Sequence, residues 1–322
     1  MQKRLAAMFI AILFVLCMHA WAAYASELAG PLVSTDAVAK NLKVIKNAAQ
    51  AKIRLVEVGL DEKAYEAGHI PGAIFLKGYG VDSPIYDTQS DHMVVSHGDM
   101  GTLMKKLGVE RNTHIIVYAR ENIVFAARFY WTLKYWKIPN IHLMDGTIAK
   151  WKNENREITK EIPLIQEKPY PVPYPPAQKL RARLTPEVFQ AMMEPDKFVI
   201  VDSRPAPYYT GEKHSTDKWA RSGHIPRALN LACPEDTNNK DGSFKAKSEL
   251  ESMVEKAGIS KAKSTIVYCD TGVRSAGLWF VLAELLGYEN ASSYDGSMRE
   301  YSNRLDLPME PANLYKEFPI NK

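Results

Sequence analysis

Cys269 stands where an apolar run, Thr265-Ile266-Val267-Tyr268, gives way to the polar stretch Asp270-Thr271-Gly272-Val273-Arg274. From Ser275 the chain reads as helix, through "SAGLWFVLAELLG". A strand-to-helix junction of this kind, at the carboxyl end of a parallel strand, is where open α/β sheets place their ligand sites. A short loop there can curl until its backbone N–H groups converge on the sulfur. Such a nest, beside the positive end of a helix, holds an anion. It therefore favours the thiolate, which is the nucleophilic form of cysteine. Gly272 supplies backbone freedom where a side chain would hinder the curl. Thr271 offers a hydroxyl hydrogen bond, and the planar fork of Arg274 can brace the loop or neutralise a bound anion.

The elements that must carry this loop occur twice. "GHIPGAI" at 68–74 returns as "GHIPRAL" at 223–229, "HIIVYA" at 114–119 as "STIVYC" at 264–269, and "LMDGTIAKW" at 143–151 as "SYDGSMREY" at 293–301. Tyr118 to Asp145 and Tyr268 to Asp295 both span 27 residues. Three ordered matches at one spacing mean two copies of one domain. The runs "IRLVEVG", "HIIVYA", "KFVIVDS" and "STIVYC" are continuous rather than alternating, as strands buried on both faces are. Helix-like segments such as 248–258 and 275–287 alternate with them. The expectation is an α/β fold of two tandem domains, each an open, mostly parallel sheet flanked by helices. The Pro-rich stretch "EKPYPVPYPPAQKL" reads as a semi-rigid linker over 167–180, between domains at 30–166 and 181–322. The GHIP histidines, His69 and His224, are expected to hydrogen-bond within their turns. His92 and His97 are expected at the surface, and no metal-ligand spacing occurs. The aromatic helix "FYWTLKYW", 129–136, is expected in the core or between domains.

Composition bounds the function. The chain has 322 residues, 46% hydrophobic and 24% charged, which suits two globular domains. Lys3 and Arg4, the apolar run Leu5 to Met18 and the end Ala23-Tyr24-Ala25 describe a secretory signal over residues 1–25. Uncleaved, the same stretch could just span a bilayer, the one membrane contact the sequence offers. Cleavage removes Lys3 and Arg4 and leaves 39 basic against 37 acidic residues, with no basic tract, so nucleic acid is not an expected partner. Cleavage also leaves two cysteines, Cys233 and Cys269, too few for a disulfide scaffold in an oxidising compartment.

Together, "VDSRPAPYYTGE" (201–212), "GHIPRALNLA" (223–232), "DGSFKAKSELESMVEKAGI" (241–259), "YCDTGVRSAGLWFVLAELLGY" (268–288) and "YDGSMREY" (294–301) resemble the tandem-domain rhodaneses, the family of thiosulfate and 3-mercaptopyruvate sulfurtransferases. The likeness covers essentially the whole mature chain. It implies an exported, periplasmic bacterial enzyme that needs no metal or organic cofactor. Cys269 would be the nucleophile, taking the outer sulfur of thiosulfate or a polysulfide, or the thiol sulfur of mercaptopyruvate, as a persulfide. A thiol, or cyanide in the assay, would then remove it. Asp270, Thr271, Gly272, Val273 and Arg274 would form the substrate loop, and Arg204 matches the family's first arginine. Ala119 stands at the place of Cys269 in the first half, which implies an inactive N-terminal domain forming one wall of the cleft. Related phosphatase and arsenate-reductase loops have five residues between Cys and Arg; the four here favour sulfur over phosphate.

Two positions depart from the pattern. Asp270 follows the cysteine where thiosulfate-specific members often carry a basic residue, and Tyr208 stands where many have a second arginine. Both would weaken the hold on a dianion. Cys233, ending the run "ALNLAC", should lie on the same side of the sheet as Cys269 and could resolve a persulfide into a disulfide. The rival readings are therefore a non-enzymatic persulfide carrier or binding module, and a thiol redox protein, on the same fold.

Overall fold

The computed structural model describes residues 28–80, 82–87, 93–214 and 219–311. The signal-peptide reading of residues 1–25, and His92, lie outside the described residues. Among those described, no helix is long and apolar enough to cross a membrane.

The strands of the first half are β1 (Leu32–Val33), β2 (Ile53–Gly59), β3 (Ala73–Lys77), β4 (His114–Ala119) and β5 (Ile141–Thr147). Those of the second are β6 (Arg181–Ala182), β7 (Phe198–Asp202), β8 (Leu229–Asn230), β9 (Ser264–Tyr268) and β10 (Ala291–Tyr294). Each half forms one five-stranded parallel sheet, in the orders β1-β5-β4-β2-β3 and β6-β10-β9-β7-β8. The central strands are the continuous runs, because helices cover both faces of each sheet. β2, for example, is buried at all seven positions.

Four helices position the site or flank it: α1 (His97–Lys106), α2 (Ile123–Tyr135), α3 (Lys247–Lys256) and α4 (Val273–Trp279). After Trp279 the chain stays helical but widens into π-type turns, Phe280–Leu285. α2 follows β4 and α4 follows β9, and the two helices pack on each other across the domain boundary. Tyr130 meets Phe280 edge-on, ring centroids 4.9 Å apart, and Phe244 stacks on the same ring. One apolar cluster thus runs through both halves, while two smaller clusters fill the outer faces. The aromatic segment 129–136 is core and interdomain packing, as its composition suggested.

The GHIP turns have the same construction in both copies. His69 stacks on Tyr65 and His224 on Tyr209, and each imidazole Nδ1 sits within 2.9 Å of the carbonyl of its stacking partner. The next residues, Ile70 and Ile225, donate their amides to the hydroxyls of Tyr118 and Tyr268. Beneath each tyrosine lies a buried carboxylate, Glu57 in one half and Asp202 in the other. These histidines are structural, and they tie each turn to the strand that leads into the site.

Candidate active site

Cys269 is the first residue past β9 and is 1% exposed. Its amide donates to Ser297 Oγ at 3.2 Å, and its carbonyl accepts the Met298 amide at 3.0 Å. Ser275 Oγ lies 3.9 Å from the sulfur and is held by a 2.8 Å hydrogen bond with Ser293. The loop turns at Gly272, where φ is +81°, a conformation that an L side chain adopts at a cost. A Cβ there would lie 2.8 Å from Arg128 Nη1 and 3.0 Å from the Asp295 carbonyl oxygen. The Thr271 and Gly272 amides donate to no protein acceptor among the described residues. Val273 opens α4, two positions before Ser275, where the sequence pattern starts the helix.

The cations are arranged differently from the sequence expectation. Arg204 is buried and gives its Nε and Nη2 to Asp202, with Nη2 also on the Gly223 carbonyl. Its Nη1 lies 3.6 Å from Asp270 Oδ1. The structure thus makes Arg204 a brace between β7, the GHIP turn and the Cys269 loop, with Nε and Nη2 hydrogen-bonded and Nη1 turned towards Asp270. Asp270, whose side chain is 28% exposed, leans on that brace. Tyr208 lies half-buried on the short helix Ala206–Tyr209. Arg274 reaches outward: its Nη1 donates to the Cys233 carbonyl at 2.9 Å and to both carboxylate oxygens of Glu235, at 2.7 and 2.5 Å.

The cation that sequence reasoning missed comes from the other domain. Arg128, on α2, is fully buried; its Nη1 meets Asp295 Oδ1 at 2.7 Å and donates to the Gly272 carbonyl at 3.3 Å. Arg181 approaches the other oxygen of Asp295 at 3.2 Å, and the Val94 amide donates to that oxygen at 2.8 Å. Burial alone would loosen the hold of Arg128 on its proton, but Asp295 outweighs it and holds the guanidinium more firmly protonated than usual. Its plane lies over the rings of Tyr86 and Trp131, and its Nε and Nη2 find no hydrogen-bond partner among the described residues. Arg128 and Arg274 both stand close enough to interact electrostatically with the Cys269 sulfur. One charged residue inside an otherwise apolar helical run was the signal available in "IVFAARFYW".

The repeat explains this geometry and its asymmetry. The Asp145 carboxylate of the first half accepts the Phe244 amide of the second at 2.9 Å, as Asp295 accepts Val94. Both pairs are related by the 150-residue offset that takes Tyr118 to Tyr268. At the same offset, however, Arg128 corresponds to Leu278, and by strand register Arg181 corresponds to Leu32. Two cations therefore gather at the end of the interface that holds Cys269. In the first half Ala119 offers no nucleophile, and Arg120 beside it pairs with Glu57.

Cys233 follows β8 at the same edge of the sheet. It is fully buried, accepts a contact from Thr237 Oγ1 at 3.3 Å, and burial pushes its thiol up to about 12. Such a thiol is a poor attacking group. A cleft of about 750 Å³ opens against β3 and α1 of the first half; it reaches Tyr86, the ring under Arg128, but none of the residues 269–274 lines it.

Residues 39–154 and 185–304 each match the family model described as "Rhodanese-like domain". A "putative thiosulfate sulfurtransferase" of Haloferax volcanii is 36% identical over 287 residues, 88% of this chain and 96% of its own. "Sulfur carrier protein TtuD" of Thermus thermophilus is 34% identical over 291 residues, 86% of this chain and 95% of its own. Among solved structures, YnjE superposes with a TM-score of 0.74 at 22% identity, over 87% of this chain and 68% of that one. The anaerobic ergothioneine biosynthesis enzyme of Chlorobium limicola gives 0.70 at 22% identity, over 80% of this chain and 64%, less than two thirds, of its own. These two likenesses bear on the fold alone.

Proposed function

Because the chain belongs to the rhodanese family and is a sulfurtransferase, we propose that it transfers sulfur through a persulfide on Cys269. The observation that carries this reading is the loop after β9. It combines the buried sulfur, the two amides without protein acceptors, and the guanidinium groups of Arg128 and Arg274. The Cys269 thiolate attacks the outer sulfur of thiosulfate or a related sulfane donor. The bond from that sulfur to the sulfite sulfur breaks, and sulfite leaves with the electron pair. The persulfide anion then lies among the loop amides, which stabilise charge without reorganising. An acceptor thiolate, or cyanide, attacks the outer sulfur, and the Cys269 thiolate leaves. The first half acts as a wall of the site and supplies Arg128 to it, in keeping with Ala119 at its own nucleophile position.

Incubating the purified protein with thiosulfate and weighing it intact tests the reading. A gain of one sulfur that vanishes with cyanide and is absent in Cys269→Ser, but kept in Cys233→Ser, is the expected result. Labelling on any other residue, or none with thiosulfate, mercaptopyruvate and polysulfide alike, refutes it. Residues 1–25 support export to the periplasm as a further part of the proposal, and the amino terminus of the mature protein, sequenced after cell fractionation, tests that.

A further inference from the structure

Among the cations that interact with Cys269, Arg128 is closed off and Arg274 alone is open to an entering donor, with 28% of its side chain exposed. Glu235 already sits on it. Both carboxylate oxygens contact the one nitrogen Nη1, which leaves Nε and Nη2 without a partner among the described residues. A donor anion can therefore approach the free edge of the guanidinium, but with a carboxylate at its back.

The wider surroundings are balanced in the same way. The guanidinium groups of Arg128, Arg181, Arg204 and Arg274 face the carboxylates of Asp295, Asp202, Asp270 and Glu235. Each of these four guanidinium groups therefore already has a carboxylate beside it. A site built to hold a dianion would keep a surplus of positive charge. Here the carboxylate on the exposed arginine is what removes it.

We infer that Glu235 is a specificity-determining residue: by covering Arg274 it turns the Cys269 site towards sulfur donors of one negative charge or none, and away from dianions. This inference rests on the Cys269 persulfide reading and adds the charge class of the donor to it. As an ion pair Glu235–Arg274 contributes little to stability, being half in solvent. Its effect lies in the field at the mouth. A unit charge removed there is felt twice by a dianion and once by a monoanion.

The test compares thiosulfate, a dianion, with 3-mercaptopyruvate, a monoanion at neutral pH, as donors to the wild type, Glu235→Gln and Glu235→Asp. In Glu235→Gln the KM for thiosulfate is expected to fall about tenfold and that for mercaptopyruvate about threefold, with kcat changed less than twofold. Glu235→Asp keeps the charge and stays near wild type, and 0.5 M salt, about four times physiological strength, shrinks the Glu235→Gln effect. Equal shifts for both donors, or no shift in either, overturn the inference while leaving sulfur transfer intact. A wild type that loads no sulfur on Cys269 from either donor removes the underlying reading instead.

Discussion

Replacing Asp295 with Asn tests whether the two halves are clamped by buried charge. The side chains of Arg128 and Asp295 are 0% and 1% exposed and meet at 2.7 Å, with Arg181 on the second oxygen. Asparagine keeps an oxygen for the Val94 amide, so the substitution removes charge and little else. It leaves Arg128 as an uncompensated cation in the core. Breaking one partner of a buried pair costs about 3–5 kcal/mol. That is a large part of the roughly 5–15 kcal/mol that holds a typical protein folded. With a urea slope of about 3 kcal/mol/M, the unfolding midpoint drops by about 1 M or more. The mirror substitution, Asp145→Asn, is the control. Asp145 also accepts a cross-domain amide, but burial there raises its carboxyl above the usual range and no arginine is stranded by its loss. It should cost less than about 1 kcal/mol. Urea unfolding followed by tryptophan fluorescence and by circular dichroism gives both numbers. An Asp295→Asn cost below about 1 kcal/mol, or one no larger than that of Asp145→Asn, refutes the reasoning.

Gly277→Ala would place a Cβ 2.8 Å from Cys233 Sγ and 3.1 Å from Val124 Cγ1, and should destabilise by about 1–3 kcal/mol. Adding Cys233→Ala should recover part of that loss, so strictly additive unfolding energies would rule out the clash. Cys233 itself, fully buried with its thiol raised to about 12, should resist iodoacetamide at pH 8 in the native protein and react once unfolded; fast native labelling of Cys233 would contradict the structure. His114 and His142 stack and are both held below the ordinary 6.5 by burial, His142 despite its bond to the Gly30 carbonyl. Below about pH 6.5 the unfolded chain thus binds protons that the fold refuses, and stability is lost as pH falls. Urea midpoints at pH 7.5 and 5.5 should differ less in the His114→Asn, His142→Gln double variant than in the wild type; an unchanged difference would clear these two residues.

Much of the fold is written in local pattern. The continuous runs at 53–59 and 114–119 announce strands covered on both faces, because alternation is needed only where one face meets water. The recurring GHIP, strand and Asp-Gly segments announce two copies, and Cys269 at a strand end with Gly272 three residues on announces a loop shaped around a sulfur. The histidine of GHIP was legible as a turn residue because its neighbours are turn formers. Residue type could not say what each cation does. Arg204 looked like a substrate contact and is a buried brace, since Asp202 two residues earlier takes its fork. Arg128, which no motif singled out, donates to the Gly272 carbonyl of the Cys269 loop, 167 positions from its partner Asp295.

By itself the sequence determined the duplication, the two parallel sheets, Ala119 at the place of Cys269 and the loop that bears Cys269. Each follows from interactions between residues near in the chain, where periodicity and turn chemistry act. Only the tertiary structure decided which charges surround the sulfur. Packing α2 against α4 brings Arg128 under Gly272, and the turn after β8 lays Glu235 on Arg274. Charge pairing depends on distance in space and on burial, and a desolvated pair formed across a domain boundary leaves no period or spacing along the chain.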